Sequence, residues 1–168
     1  KFAVLFLDLD RFKVVNDSLG HHACDMLLKV IADQLIDVLR NKDTVARLGG
    51  DEFVILIEDL ESNEKAYEIA QRITELLSAS FNIENQSVFI GTSIGVLINN
   101  KRYDSADNML RDADIAMYQA KDKGKGRYEV FDSSMYKKVQ NALSLEADIR
   151  EAINNKEFTP YFQPIVQM

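Results

Sequence analysis

Two aspartates, Asp8 and Asp10, close a run of apolar residues from Phe2 to Leu7. In an extended strand alternate residues share a face, so both carboxylates project the same way with Leu9 opposite. Like charges so placed repel unless a cation or hydrogen-bond donors sit between them. Equally, both could cap a helix that follows. A second acidic pair, Asp51-Glu52, comes directly after Gly49-Gly50. Paired glycines supply the positive φ of a tight turn and let a ligand approach bare backbone, although adjacent acids at a turn can also be merely solvated. Placed beside Asp8, they make a set of hard oxygen donors that suits Mg²⁺ together with phosphate oxygens and water. Cations held there could activate a hydroxyl and stabilise a phosphate leaving group. That chemistry requires the strand ending at Asp8 to lie beside the Gly-Gly turn.

The elements that must do this are legible as patterns. Phe2–Leu7 reads as a buried strand. From His22 to Leu39, Cys24, Leu27, Leu28, Ile31, Leu35, Val38 and Leu39 recur at helical spacing. β-Like stretches at 44–48 and 53–57 flank the glycines, a hairpin signal. A second amphipathic helix carries Ala66, Ile69, Ala70, Ile73, Leu76 and Leu77, and 87–98 has the β-branched content of a strand. Ser105 is a candidate N-cap for a third helix bearing Met109, Leu110, Ala113, Ala116, Met117 and Ala120, which ends at Gly124–Gly126. Residues 128–131 return as a short strand. The order β, α, β-hairpin, α, β, α, β predicts an α/β (α+β) domain: a mixed central sheet with an antiparallel hairpin, flanked by helices. Past residue 132 the pattern changes, to a long polar helix over 133–155 and an apolar stretch, 158–166, that reads as a new strand.

Composition narrows the function classes. The 168 residues are 46% hydrophobic and 28% charged, a globular balance. A formal charge of −7 would repel a nucleic-acid backbone, so no nucleic-acid partner is expected, while a small anion remains possible if cations and a few lysines reverse the sign locally. The lone Cys24 excludes an intrachain disulfide. No apolar run is long enough to span a bilayer, so this segment is expected to be cytoplasmic, with any membrane attachment supplied by regions outside it.

The segments 7–17 (LDLDRFKVVND), Gly20-His21, 46–53 (ARLGGDEF), 92–95 (TSIG) and 112–121 (DADIAMYQAK) occur in the order found in GGDEF domains. Over roughly residues 3–131 the chain resembles that family of diguanylate cyclases, whose fold is like the nucleotidyl cyclase and polymerase palm, a ferredoxin-like arrangement. The resemblance implies condensation of two GTP into cyclic di-GMP by a homodimer, with Mg²⁺ as cofactor and Mn²⁺ able to replace it in vitro. It implies that Asp8, the Leu9 carbonyl, Asp51 and Glu52 hold the metal, and that Asp51 and Glu52 are catalytic, Asp51 as base toward the 3′-hydroxyl. Asn16 and Asp25 match the guanine-recognition positions. Phe12, Lys13, Gly49, Gly50, Lys121 and Lys125 match further substrate-binding positions, the last two lysines holding the triphosphate. Arg40 and Asp43 stand at the register of the RxxD product-inhibition motif. Each also has an ordinary structural reading: a turn at Asn16-Asp17, a first-turn helix acid at Asp25, solvated lysines, and a helix-end arginine at Arg40. Arg47 is expected to pair with a nearby acid.

The chain departs from the family pattern at Cys24, where glycine is usual, and at Lys125, which keeps the charge of an arginine and loses its bidentate fork. Residues 145–153 and 161–166 resemble the first helix and strand of an EAL phosphodiesterase domain. The expected organisation is therefore a GGDEF domain at 1–132, a linker helix at 133–157 and the opening strand of an EAL domain at 158–168, with that domain's metal-binding acids absent. A GGDEF domain in this setting could alternatively sense GTP and regulate the adjacent EAL domain.

Overall fold

The computed structural model describes residues 1–99 and 103–164, save the side chains of 139 and 141–143. Its strands are β1 (Ala3–Asp10), β2 (Thr44–Gly49), β3 (Glu52–Ile57), β4 (Ser80–Ile83), β5 (Gln86–Phe89), β6 (Gly91–Ile98) and β7 (Tyr128–Val130). Its helices are α1 (Phe12–Val38), α2 (Asn63–Ser78), α3 (Ala106–Asp122) and α4 (Ser133–Asn154). The main sheet runs β2-β3-β1-β6-β7, antiparallel throughout except for the β6–β7 pair. The strand richest in apolar residues, β1, lies at its centre.

Strand alternation sorts the core into two layers. Leu5, Leu7 and Leu9 of β1, with Phe53, Ile55 and Ile57 of β3 and Ile94 and Val96 of β6, face α1 and α2 and form the large core. Val4 and Phe6, with Leu97, face α3 through Ala113 and Met117. Each fully buried aliphatic chain contributes about 1.5–3 kcal/mol of transfer free energy, so the larger face carries most of the stability. On the α3 side the sheet is lined by small residues of β6. A Cβ built on Gly95 would stand 1.9 Å from the Ala113 carbonyl oxygen, so only glycine lets the backbone of α3 sit down on the strand.

Three expectations need correction. The first helix begins at Phe12 and not at His22; Gly20, at φ 82 and ψ 170, breaks it into two segments. Phe12, Val15 and Leu19, spaced three and four residues apart, pack on the main core and were the overlooked helical signal. The stretch 87–98 is two strands, because the chain leaves the β4–β5 hairpin and enters the main sheet at Gly91. That hairpin turns on Glu84 and Asn85, both at positive φ, without the glycine that usually marks such a turn. Finally, residues 157–164 form no regular element. A strand needs a neighbour to bond, and none pairs with this stretch among the described residues; the rest of the expected 158–168 strand lies outside them. The helix expected over 133–155 is present as α4.

Candidate active site

The decisive adjacency is in the register of β1 and β3. Asp8 stands opposite Glu52, and the Leu9 N–H donates to the Asp51 carbonyl at 3.3 Å. Directly opposed residues of an antiparallel pair project to the same face, so Asp8 and Glu52 lie side by side on the face that α3 covers. Asp51 sits in the turn between β2 and β3. The strand end at Asp8 and the turn at Asp51, 43 residues apart in the sequence, are therefore one corner of the molecule.

The turn itself differs in detail from the sequence reading. Only Gly50 has positive φ, at 54; Gly49 ends β2 beside a bulge between Arg47 and itself. A Cβ on either glycine would meet nothing within 4 Å, so Gly49 keeps its surface open and does not serve a special conformation. Among the described residues Arg47 pairs with no acid. Its Nε donates to the Gly50 carbonyl at 2.9 Å, which braces the turn from the strand before it.

Electrostatics mark this corner as overloaded with negative charge. Burial pushes the Asp8 carboxyl above its ordinary value, and Asp51 and Asp10 push it further, while the hydrogen bond and charge of Lys121 oppose them. Burial likewise raises Glu52, helped by Asp8, Asp114 and Asp51. The Lys121 ammonium, from the last turn of α3, meets the Asp8 carboxylate at 2.8 Å. Asp114 joins from two turns earlier on α3; it lies at the surface, yet desolvation of its carboxyl raises its pKa against the pull of Lys121. Sequence reasoning missed Asp114 as a member of the site. Its seven-residue spacing from Lys121, which puts both on one helix face, was the available signal.

Among the described residues no three acids converge closely enough to hold an ion unaided. The donor set nonetheless fits Mg²⁺ in kind: every available ligand is a hard oxygen, and Asp8 and Glu52 stand directly opposite each other. Mg²⁺ commonly takes only a few protein carboxylates and completes its shell with phosphate and water.

Around this corner the other expected residues take distinct places. α1 opens at Phe12 with no side-chain cap, and the amides of Phe12 and Lys13 lie in the first turn, where no intrahelical acceptor exists. The Phe12 side chain packs into the core and Lys13 is exposed. Asn16 follows, with its buried amide oxygen lacking a partner. Asp25, beyond the Gly20 break, is exposed on the rim of a cleft of about 330 Å³ floored by Leu28 and Phe53. Lys125 sits in a left-handed conformation, φ 64, in the turn after α3. Asp10, which shares a face with Asp8, is fully engaged elsewhere: its carboxylate accepts from Ser93 Oγ at 2.8 Å and from the Gly126 N–H at 3.0 Å. The two strand aspartates are thus not a cation-binding pair.

Arg40 and Asp43 lie apart from all of these, in the connection before β2. That strand runs on from Thr44 to Gly49, so they stand about 17 Å from the glycine turn along it. Asp43 is held by backbone amides, Arg40 N–H to Oδ2 at 3.0 Å and Glu58 N–H to Oδ1 at 3.2 Å. Arg40 and Asp43 line a cleft of about 350 Å³ together with Lys65, Glu68 and Arg72, a surface of mixed charge away from the acidic corner.

Residues 1–127 match the family model described as "Diguanylate cyclase, GGDEF domain". The chain belongs to the GGDEF family. It is 41% identical over 166 residues to the bifunctional diguanylate cyclase/cyclic di-GMP phosphodiesterase MucR of Pseudomonas aeruginosa, covering 99% of this chain and 24% of that protein. It is 32% identical over 166 residues to the cyclic di-GMP phosphodiesterase NbdA of the same organism, covering 99% of this chain and 21% of that one. Among solved structures, the GGDEF domain of TpbB (YfiN) from Pseudomonas aeruginosa superposes with a TM-score of 0.79 at 38% identity, over 83% of this chain and 81% of that chain. This GGDEF chain therefore spans about a quarter or less of the two curated relatives' length, and it shares the palm-like fold of the cyclase domains.

Proposed function

We propose that this GGDEF domain is a Mg²⁺-dependent diguanylate cyclase that condenses two GTP into cyclic di-GMP and releases two pyrophosphates. The observation that carries the reading is the pairing of Asp8 with Glu52 beside an open Gly49-Gly50 turn, in a chain of this family. Asp8, the Leu9 carbonyl, Asp51 and Glu52 would hold Mg²⁺, which when bound lowers the pKa of a ribose hydroxyl and neutralises the leaving pyrophosphate. Asn16 and Asp25 recognise guanine, the unpartnered Asn16 oxygen accepting from a base N–H and the Asp25 carboxylate from others. The first-turn amides of Phe12 and Lys13, with Lys121 and Lys125, take the triphosphate. Asp51 accepts the proton of the 3′-hydroxyl. The 3′-oxygen then forms a bond to the α-phosphorus of the GTP on a facing second copy, the bond from that phosphorus to the oxygen of the β-phosphate breaks to release pyrophosphate, and the same exchange repeats in reverse. One chain offers one such corner, so catalysis needs a homodimer that aligns two.

Two experiments test this. Asp51→Ala should reduce cyclic di-GMP formation by at least ~1000-fold with GTP and Mg²⁺ while circular dichroism stays unchanged; full activity in that variant rejects the assignment. Arg40→Ala should raise the product concentration needed for half-inhibition about tenfold or more, because a charge-assisted contact to the product is removed. Superimposable inhibition curves would mean that Arg40 and Asp43 serve only the α1–β2 connection.

A second reading is favoured by the phosphodiesterase named among the relatives: a GTP-binding domain with little cyclase activity that regulates an adjoining EAL domain, whose opening we place at 158–168, after a linker helix at 133–157. Measurable GTP binding with no cyclic di-GMP formed would select it. Among the described residues no helix is long and apolar enough to cross a membrane, and we place the domain in the cytoplasm, where GTP is available.

A further inference from the structure

Asp10 is only 5% exposed, and the mechanism above gives it no contact with substrate. Its two bonds join three parts of the fold. Oδ1 accepts from Ser93 of β6, and Oδ2 accepts from the backbone of Gly126, 116 residues along the chain. The residue opposite Asp10 on β6 is Gly91, where an added Cβ would stand 3.1 Å from Oδ2, so the strand leaves room for this carboxylate. Gly126 closes the turn Gly124-Lys125-Gly126, in which all three φ are positive, at 113, 64 and 60. Consecutive residues in that region persist only where their surroundings hold them. From the helix side the turn is held by the Lys125 N–H to the Ala120 carbonyl at 3.0 Å and the Gly124 N–H to the Lys121 carbonyl at 3.2 Å. From the sheet side it is held by Asp10. The same carboxylate therefore ties the strand that carries Asp8 to the turn that carries Lys125 and begins three residues after Lys121.

We propose that Asp10 is a positioning residue for the triphosphate: it fixes the separation between the acidic strand end and the lysines at the end of α3 without touching nucleotide. The inference rests on the reading of this corner as a GTP site. It is tested by isothermal titration of the full chain, with Mg²⁺, using the α,β-methylene analogue of GTP and, separately, GMP, which keeps base and ribose but lacks the outer phosphates. Asp10→Ala should weaken the analogue about tenfold and GMP less than about twofold. Asp10→Asn should restore the analogue to within about threefold of wild type, because its amide oxygen accepts from Gly126 and its NH₂ donates to Ser93. Equal weakening of both ligands, no weakening of either, or failure of the asparagine to rescue would overturn the proposal. Should Asp10→Ala not fold, Ser93→Ala carries the same comparison: a selective loss of about twofold or more for the analogue supports the proposal, and an unchanged ratio overturns it. A wild-type protein that fails to prefer the analogue over GMP would instead reject the GTP site itself, whatever the variants do.

Discussion

Two groups of acids lie along α3, one beside Tyr103 and one where Lys121 reaches Asp8 of β1, and the fold treats them in opposite ways. In the first group, Asp112 is 6% exposed and both its oxygens are engaged: the Arg111 guanidinium donates to its Oδ1 through Nη2 at 2.8 Å and Nε at 3.1 Å, and the Tyr103 hydroxyl donates to its Oδ2 at 3.2 Å. Arg111 in turn lies over the Tyr136 ring, 5.0 Å from its centroid, so the cluster also fastens the first turns of α4. Near the end of the helix a single ammonium, that of Lys121, faces Asp8 with Asp51, Glu52 and Asp114 close by. Donors match acceptors in the first group, while acids outnumber the cation in the second. The first arrangement stabilises the fold. The second holds unfavourable charge ready for a partner brought from solution, which is the usual signature of a functional site.

Mutations should separate the two groups. Asp112→Ala removes the acceptor shared by Arg111 and Tyr103 and leaves the half-buried phenol without that partner. It should cost about 2–3 kcal/mol in denaturant unfolding; a loss below ~0.5 kcal/mol would show that the cluster is no more than a surface contact. Tyr103→Phe keeps the ring and removes one donor, for a loss of about 1 kcal/mol. Burial, reinforced by the charge of Asp112, pushes the Tyr103 phenol up to about 12. With its folded pKa above its unfolded value, the neutral phenol contributes stability that is fully present below pH 10.0 and is lost as pH rises through about 12. Absorbance titration of the wild type minus Tyr103→Phe should place the ionisation there, and an ordinary tyrosine curve would contradict the buried contact. The smallest effect has the opposite sign. Glu52→Gln should stabilise the protein at pH 7 by roughly 0.5 kcal/mol, since it relieves repulsion at a partly exposed position, even as Mg²⁺ binding weakens. Because the Glu52 pKa is raised when folded, its favourable contribution is complete below 4.5 and disappears as pH rises through the folded value. The advantage of glutamine should therefore shrink as pH falls toward 4.5. A destabilised glutamine variant at pH 7 would erase the contrast between the two groups.

Most elements could be read from periodicity: β1 from its apolar run, the later part of α1, α2 and α3 from their helical spacing, and the hairpin from its glycines. The failures have physical causes. Phe12–Leu19 was missed because Gly20 divides it from the longer pattern, and β4–β5 because Glu84 and Asn85 make their turn without glycine. Cap chemistry was sound at Ser105, whose hydroxyl accepts from the Asn108 N–H at 3.2 Å.

For the site, the sequence determined the residue types, the oxygen-only donor set and the order of the family motifs, because side-chain chemistry and strand alternation are local properties. Which acids meet was decided only by the tertiary structure. Nothing local distinguishes Asp8, placed beside Glu52 by the β1–β3 register, from Asp10, two residues on, which folding commits to Ser93 and Gly126. The entry of Asp114 and Lys121 from the far side of the chain is likewise a consequence of α3 settling on Gly95. Such contacts depend on which surfaces pack together, and that is a property of the whole chain.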